Sequence, residues 1–223
     1  MSVRVPGRRA LAGISMLLAL AVATPVTAAS LTVASRTLTL SSRAYGSAQT
    51  CTLSAVADSY VAKELSGSNF GTATSVQVSP DATATRRTFV RFDLTACSPV
   101  IPTDAIVQSA KVRLTVSALA AATRTYDLRL ASASWVETSI TWSNQPAVSS
   151  TVTGSATVSV GTLAGTVVEW TATSDVQAFA TGAAANTGWR IGDSSESGVG
   201  TPLLFGSREA ASGRPQLVVT YLP

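Results

Sequence analysis

Histidine is absent from all 223 residues, cysteine occurs only twice, and charged and aromatic residues make up just 13% and 6% of the chain. Without histidine neither a Ser-His-Asp triad nor a Cys-His nucleophile can be assembled, and two cysteines alone give zinc too few of its usual ligands. What is plentiful is Ala (36), Thr (30), Ser (30) and Val (25), which together supply 121 residues. That mixture favours β-branched strands with hydroxyl-bearing outer faces, the composition of an all-β exported protein. With 46% hydrophobic residues the chain can fill one core, so a single domain is expected.

Residues 1–29 read as a signal peptide. Arg4, Arg8 and Arg9 precede an apolar run over 11–23, followed by Pro25 and small residues with Ala28 and Ala29 at the expected cleavage point. The run is shorter than the roughly 18 to 20 residues of a membrane-spanning helix, and nothing later in the sequence reads as a span. Removing the leader leaves thirteen Lys and Arg against twelve Asp and Glu, so the basic pI of 9.5 partly belongs to the leader. A near-neutral mature chain with no clustered basic element argues against nucleic acid as a partner. In an exported chain the even cysteine count predicts a Cys51–Cys97 disulfide.

Residues 30–50 are rich in Ser and Thr and read as a lead-in, with a weak alternation at Leu31, Val33, Leu38 and Leu40. From Cys51 the text changes to short alternating runs separated by Gly, Pro, Asn, Asp and Ser, the pattern of a sandwich or barrel over 51–223. Strands are predicted over 51–62, 74–79, 87–94, 109–116, 124–132, 134–142, 150–161, 165–170, 188–193, 202–207 and 215–221. One short helix is predicted near 174–181, with Ser174 as cap, Val176, Phe179 and Ala180 on one face and Gly182 as terminator.

The ordered series ADSYV (57–61), SNFGTATSVQV (68–78), RTFVRFDL (87–94), SAKVRLTV (109–116), SWVETSITWSNQP (134–146), VQAFATG (176–182) and FGSREAASGRPQLVVTY (205–221) resembles secreted bacterial DNRLRE-domain proteins and the related family 96 carbohydrate-binding modules. The resemblance implies an antiparallel β-sandwich of jelly-roll type and a non-catalytic carbohydrate-binding role outside the cell. Thr171 stands where the resemblance leads one to expect an acidic residue, which weakens a metal role at that spot.

Strand periodicity assigns faces. Thr88, Val90, Phe92 and Leu94 read inward and Arg87 and Arg91 outward; Val112, Leu114 and Val116 inward and Lys111 and Arg113 outward; Tyr126, Leu128 and Leu130 inward and Asp127 and Arg129 outward. If these strands are neighbours, Arg87, Arg91, Lys111, Arg113 and Arg129 make one cationic face, and guanidinium forks suit the carboxylates of a uronic-acid polysaccharide. Neutral sugars would need aromatic platforms, for which Trp135 and Trp142 are the candidates, while Trp170 and Trp189 read as packing residues. Oxygen ligands are plentiful, so Asp58 with Asn69 could contribute to a structural calcium site, as could Asp193 with Glu196, although ordinary turn chemistry explains the same residues. No other cofactor is expected, and the chain is expected to be monomeric. Two alternatives stay open: a cell-surface structural or adhesive module without sugar affinity, and a histidine-independent polysaccharide lyase or glycosidase drawing on Glu137 and Asp127 as a carboxylate pair with Tyr126 or Lys111 as base.

Overall fold

The computed structural model describes residues 30–33, 36–39 and 45–223; the leader assigned to 1–29 and the rest of the lead-in lie outside them. The chain divides into two compact units at Ala44. In the first, β1 (Ser30–Val33) and β2 (Arg36–Thr39) pair as an antiparallel hairpin. The second contains β3 (Gln49–Ala62), β4 (Ser75–Val78), β5 (Arg86–Phe92), β6 (Ile106–Thr115), β7 (Arg124–Leu130), β8 (Gly154–Val158), β9 (Val167–Thr171), helix α1 (Thr173–Ala180), β10 (Trp189–Asp193), β11 (Leu203–Gly206) and β12 (Gln216–Leu222).

The large antiparallel sheet runs β8-β7-β10-β5-β3-β12-β6-β9, and β3 divides it into two leaves. The first part of β3 pairs with β12 over Gln49–Ser54, and its second part pairs with β5 over Ala55–Ala62. Between them the register slips, so that Ala55 and Ala57 face consecutive residues of β5 and Val56 is extruded, 45% exposed, as a β-bulge that bends the strand. The leaves then face each other. Trp170 of β9 donates its Nε1–H to the Tyr126 carbonyl on β7, and both rings meet Phe205 edge-on. The two edge strands approach where Gly154 of β8 lies against the Thr171 backbone, at a distance no Cβ would permit. The two-stranded sheet β11-β4 lays Leu203, Phe205, Val76 and Val78 into the same core. The protein is an all-β antiparallel sandwich of jelly-roll type with, among the described residues, one short α-helix.

Ten of the predicted strands appear with shifted ends, because alternation marks the inward residues but the ladder hydrogen bonds decide where a strand stops. The run 134–142 is different. It forms turns, with Ile140 N–H donating back to the Val136 carbonyl, and belongs to a segment from Ala133 to Ala147 that crosses the outer face of the β3–β5 leaf. Its apolar residues are anchors: Trp135 and Ile140 join Ala57, Val61 and Phe89 in a second, outer cluster, with Trp142 packed at its border. The helix begins at Thr173 behind an uncapped Ala172, so Ser174 is not the cap; the Thr173 hydroxyl instead accepts from Ala110 N–H. Gly182 ends the helix at φ +73°, where its N–H reaches the Phe179 carbonyl.

Cys51 and Cys97 form the predicted disulfide, tying the start of β3 to the turn that follows β5 across 46 residues of sequence. Closing a loop of that length stabilises the fold by about 4 kcal/mol on the chain-entropy account. Replacing both cysteines by serine should therefore lower the melting temperature by roughly 10 °C. A melt within a degree of the parent's would remove the disulfide from the account of stability.

Candidate functional site

The outer face of the leaf β8-β7-β10-β5 is where the candidate groups converge. Register places Arg190 of β10 between Phe89 of β5 and Arg129 of β7, with Gly192 opposite Asp127 in the next outward row. Above these strands lies a groove of about 360 Å³ lined by Asp127, Arg129, Arg190 and Glu196 together with Ser149 and Ser150. Almost every charge in it is matched. Asp127 pairs with Arg129 and accepts from the Ser155 hydroxyl, and Arg129 also donates to the carbonyls of Ser149 and Ser150. Glu196 takes a forked pair of bonds from Arg87, whose remaining nitrogen reaches Gln145. Asp193 is held in the same way by Arg124.

Arg190 is the exception. Among the described residues its guanidinium has no hydrogen-bond or ion-pair partner, and its Nε is buried without one. Burial, with Arg87 and Arg129 close by, pulls its pKa down from the ordinary arginine value to about 10 against the attraction of Glu196 and Asp127, so it remains charged at neutral pH. The side chain lies over Gly192: an added Cβ there would stand 3.3 and 3.4 Å from its Nη2 and Nε and 3.0 Å from Glu196 Oε1. Gly192 thus keeps open the hollow in which the cation rests.

Of the cations predicted to make one face, Arg129 lines this groove and Arg87 borders it through Glu196. Arg91 is on the same leaf but turns over Trp135, 5.6 Å from the ring centroid. Lys111 and Arg113 are on the other leaf, because β6 lies between β12 and β9 rather than beside β5 or β7. There Lys111 donates to the Thr171 hydroxyl and Arg113 pairs with Glu169. The single cationic face is therefore divided between the two leaves. Trp135 is 5% exposed, with its indole N–H on the Thr187 carbonyl, so it packs and offers no platform. Trp142 is half-buried with the Arg87 guanidinium 4.4 Å over its ring. Trp170 and Trp189 are core residues, as expected.

A second cluster gathers Asp58, Glu137 and Glu209, whose carboxylate oxygens lie within 4.8 Å of one another. Arg208 threads it: its backbone N–H donates to Asp58, and its guanidinium pairs with Glu137 and Glu209. Glu137 also accepts from Asp58 N–H. Asn69 does not join as a ligand-like oxygen; its Oδ1 is occupied by Gly71 N–H, and its amide clamps the carbonyls of Glu137 and Ile140. Oxygen donors suited to a hard cation are present here, with the Arg208 guanidinium already supplying positive charge. Asp193 and Glu196 are engaged separately by Arg124 and Arg87. The sequence pairs Asp58 with Asn69, whereas the carboxylates that converge on Asp58 belong to Glu137 and Glu209, about eighty and one hundred and fifty residues away.

The residues nominated for catalysis are dispersed: Glu137 in the acidic cluster, Asp127 in the groove, Lys111 on the opposite leaf and Tyr126 in the core, where burial pushes its pKa up to about 12. Among the described residues no helix is long and apolar enough to cross a membrane.

Asp58 is 1% exposed, and burial, reinforced by Glu209 and Glu137, pushes its pKa from 3.8 to about 7 against the opposing Arg208 N–H bond. The folded state then holds this proton more tightly than the unfolded state. Its contribution to stability is full below about pH 4 and is lost as pH rises toward 7, by up to about 1.4 kcal/mol per pH unit. Asp58→Asn keeps an acceptor for Arg208 and should abolish this loss: melting of the parent should fall relative to the variant between pH 4 and 7 and then run parallel. A constant difference across that range would mean Asp58 ionises as an ordinary carboxyl.

The model of carbohydrate-binding module family 96 matches residues 49–221, from the first residue of β3 to the penultimate residue of β12. Comparison with curated proteins gives no match.

Proposed function

The chain belongs to carbohydrate-binding module family 96, and on that premise we propose that it is secreted and holds an acidic, uronic-acid-bearing polysaccharide in the groove above β7 and β10. The observation that carries this reading is Arg190, a half-buried cation without a hydrogen-bonded protein partner, flanked by two guanidiniums that are already matched. A carboxylate brought to Arg190 would satisfy its fork with two parallel charge-assisted hydrogen bonds in a partly desolvated site, where such bonds are stronger than in open water. Ser149 and Ser150 border the same groove and offer oxygens to sugar hydroxyls. The leader-like segment and the disulfide support export to an oxidising compartment. Neutral glycans stacking on aromatic rings have less to work with, since Trp135 is covered and Trp142 lies beneath Arg87.

Native gels cast with alginate, polygalacturonate, glucuronoxylan, a neutral cellulose derivative or no polysaccharide provide the test, run at two salt concentrations with and without calcium. Retardation is expected in at least one gel bearing uronic acid, weaker at high salt and absent in neutral gels. Arg190→Gln should abolish it while leaving the melting temperature within about a degree. Salt-insensitive retardation by the neutral polymer would instead favour Trp142, and no retardation in any gel would favour a surface structural module.

A further inference from the structure

We propose that Arg190 is a site of covalent capture for small 1,2-dicarbonyls, the class of compound that reducing sugars yield when they fragment, and that it reacts ahead of the other arginines. No polysaccharide need occupy the groove for this. The unit from Tyr45 to Pro223 contains nine arginines, and they are held very differently. Six are locked in ion pairs: Arg86 with Glu64, Arg87 with Glu196, Arg113 with Glu169, Arg124 with Asp193, Arg129 with Asp127 and Arg208 with Glu137. Arg214 donates its Nε–H to the Ala210 carbonyl, and Arg91 lies over the Trp135 ring. Among the described residues, Arg190 alone combines an unmatched guanidinium with a place in the wall of an open groove.

An arginine attacks a carbonyl carbon only as the neutral guanidine, so whatever holds its proton in place protects it. A carboxylate partner does so: the bond to Asp193 raises the pKa of Arg124, and the bond to Glu137 raises that of Arg208. At Arg190 burial and the neighbouring Arg87 and Arg129 act the other way, against Glu196 and Asp127. The guanidinium also lies over Gly192, where the lack of a side chain leaves its Nη2 clear, and the groove of about 360 Å³ admits a molecule of a few heavy atoms. With methylglyoxal, Arg190 first releases one proton to water; Nη1 then adds to the aldehyde carbon and Nη2 to the ketone carbon. Two N–C bonds form, both C=O π pairs move onto oxygen, and each oxygen takes the proton that its attacking nitrogen sheds. The product is a dihydroxyimidazolidine ring, which regains the proton released at the outset and loses one water to become a hydroimidazolone. Neither oxidant nor reductant is consumed. The adduct spans both nitrogens that a carboxylate would engage, so capture also closes the binding position proposed above.

Incubation of the purified protein with a limiting amount of methylglyoxal at about pH 8, followed by proteolysis and mass spectrometry, counts adducts at each arginine. The first adduct is expected on Arg190, formed roughly tenfold faster than on any ion-paired arginine, and unfolding in urea should level the rates. Glu196→Gln releases Arg87 from its ion pair and should bring it into the fast class. Gly192→Ala sets a methyl against Nη2 and Nε and should slow Arg190 by a similar factor. Circular dichroism and melting show whether each variant folds, and Glu196→Gln decides if Gly192→Ala does not. A first adduct on another arginine, an Arg190 rate no higher than that of Arg124 or Arg208, or an Arg87 rate unchanged by Glu196→Gln would overturn the inference. None of those outcomes bears on retardation in uronic-acid gels, which tests the proposed binding separately.

Discussion

The structure depends on how β3 is shared. A strand of fourteen residues would normally serve one sheet, but the slip at Val56 turns this one so that Gln49–Ser54 belongs to the leaf of β12, β6 and β9 and Ala55–Ala62 to the leaf of β5, β10, β7 and β8. The same strand is anchored at its start by Cys51–Cys97. The bend brings the two leaves face to face over one core, where Trp170, Tyr126 and Phe205 close the gap between sheet ends that are far apart in hydrogen-bonding order. It also sets Asp58 two residues past the bulge, where Glu137 and Arg208 converge on it.

Beyond the bulge, β3 is buried on both faces. Tyr60 and Ala62 face the sandwich core, whereas Ala57 and Val61 lie with Phe89 under Trp135 and Ile140. Strict alternation of apolar and polar residues describes strands with one wet face, and it fails here because the crossing segment covers the outer one. For the same reason SWVETSITW misleads: its apolar residues recur as they would in a strand, yet Trp135 and Ile140 are plugs descending from a loop whose backbone is fixed by Asn69 and Asn144.

Most of the sandwich was legible in the residues because each strand carries its own alternation and its own punctuation. The disulfide was legible from the even number of cysteines and the leader-like segment at the N-terminus. Strand order was not, since nothing in SAKVRLTV says that β6 lies beside β12 and β9, and so Lys111 and Arg113 were grouped with arginines they never meet. Arg190 went unnoticed although its signal was present: in GWRIGD the alternation of Trp189 and Ile191 inward turns Arg190 outward, beside a glycine that leaves room for it. The Asp58–Glu137–Glu209 cluster had no local signal, because three separate segments meet there only once the fold has formed.

The two clusters are linked through the crossing segment. Glu137, near its beginning, is fastened to β3 and Arg208, and Trp135 is sunk between strands; Gln145, near its end, holds Arg87, and Ser149 and Ser150 just beyond it hold Arg129. The wall of the groove is thus pinned at both ends before any ligand arrives. A buried cation left unmatched costs stability, and a fold keeps it without rearranging only if its neighbours cannot move to neutralise it. Here Glu196 is held by both arms of the Arg87 fork, and Asp127, within β7, by Arg129 and the Ser155 hydroxyl, so Arg190 stays without a hydrogen-bonded partner in the folded protein. On the proposed function, rigidity of this kind would reduce the conformational entropy lost on binding, so that the interaction with a ligand carboxylate is not spent on ordering the site.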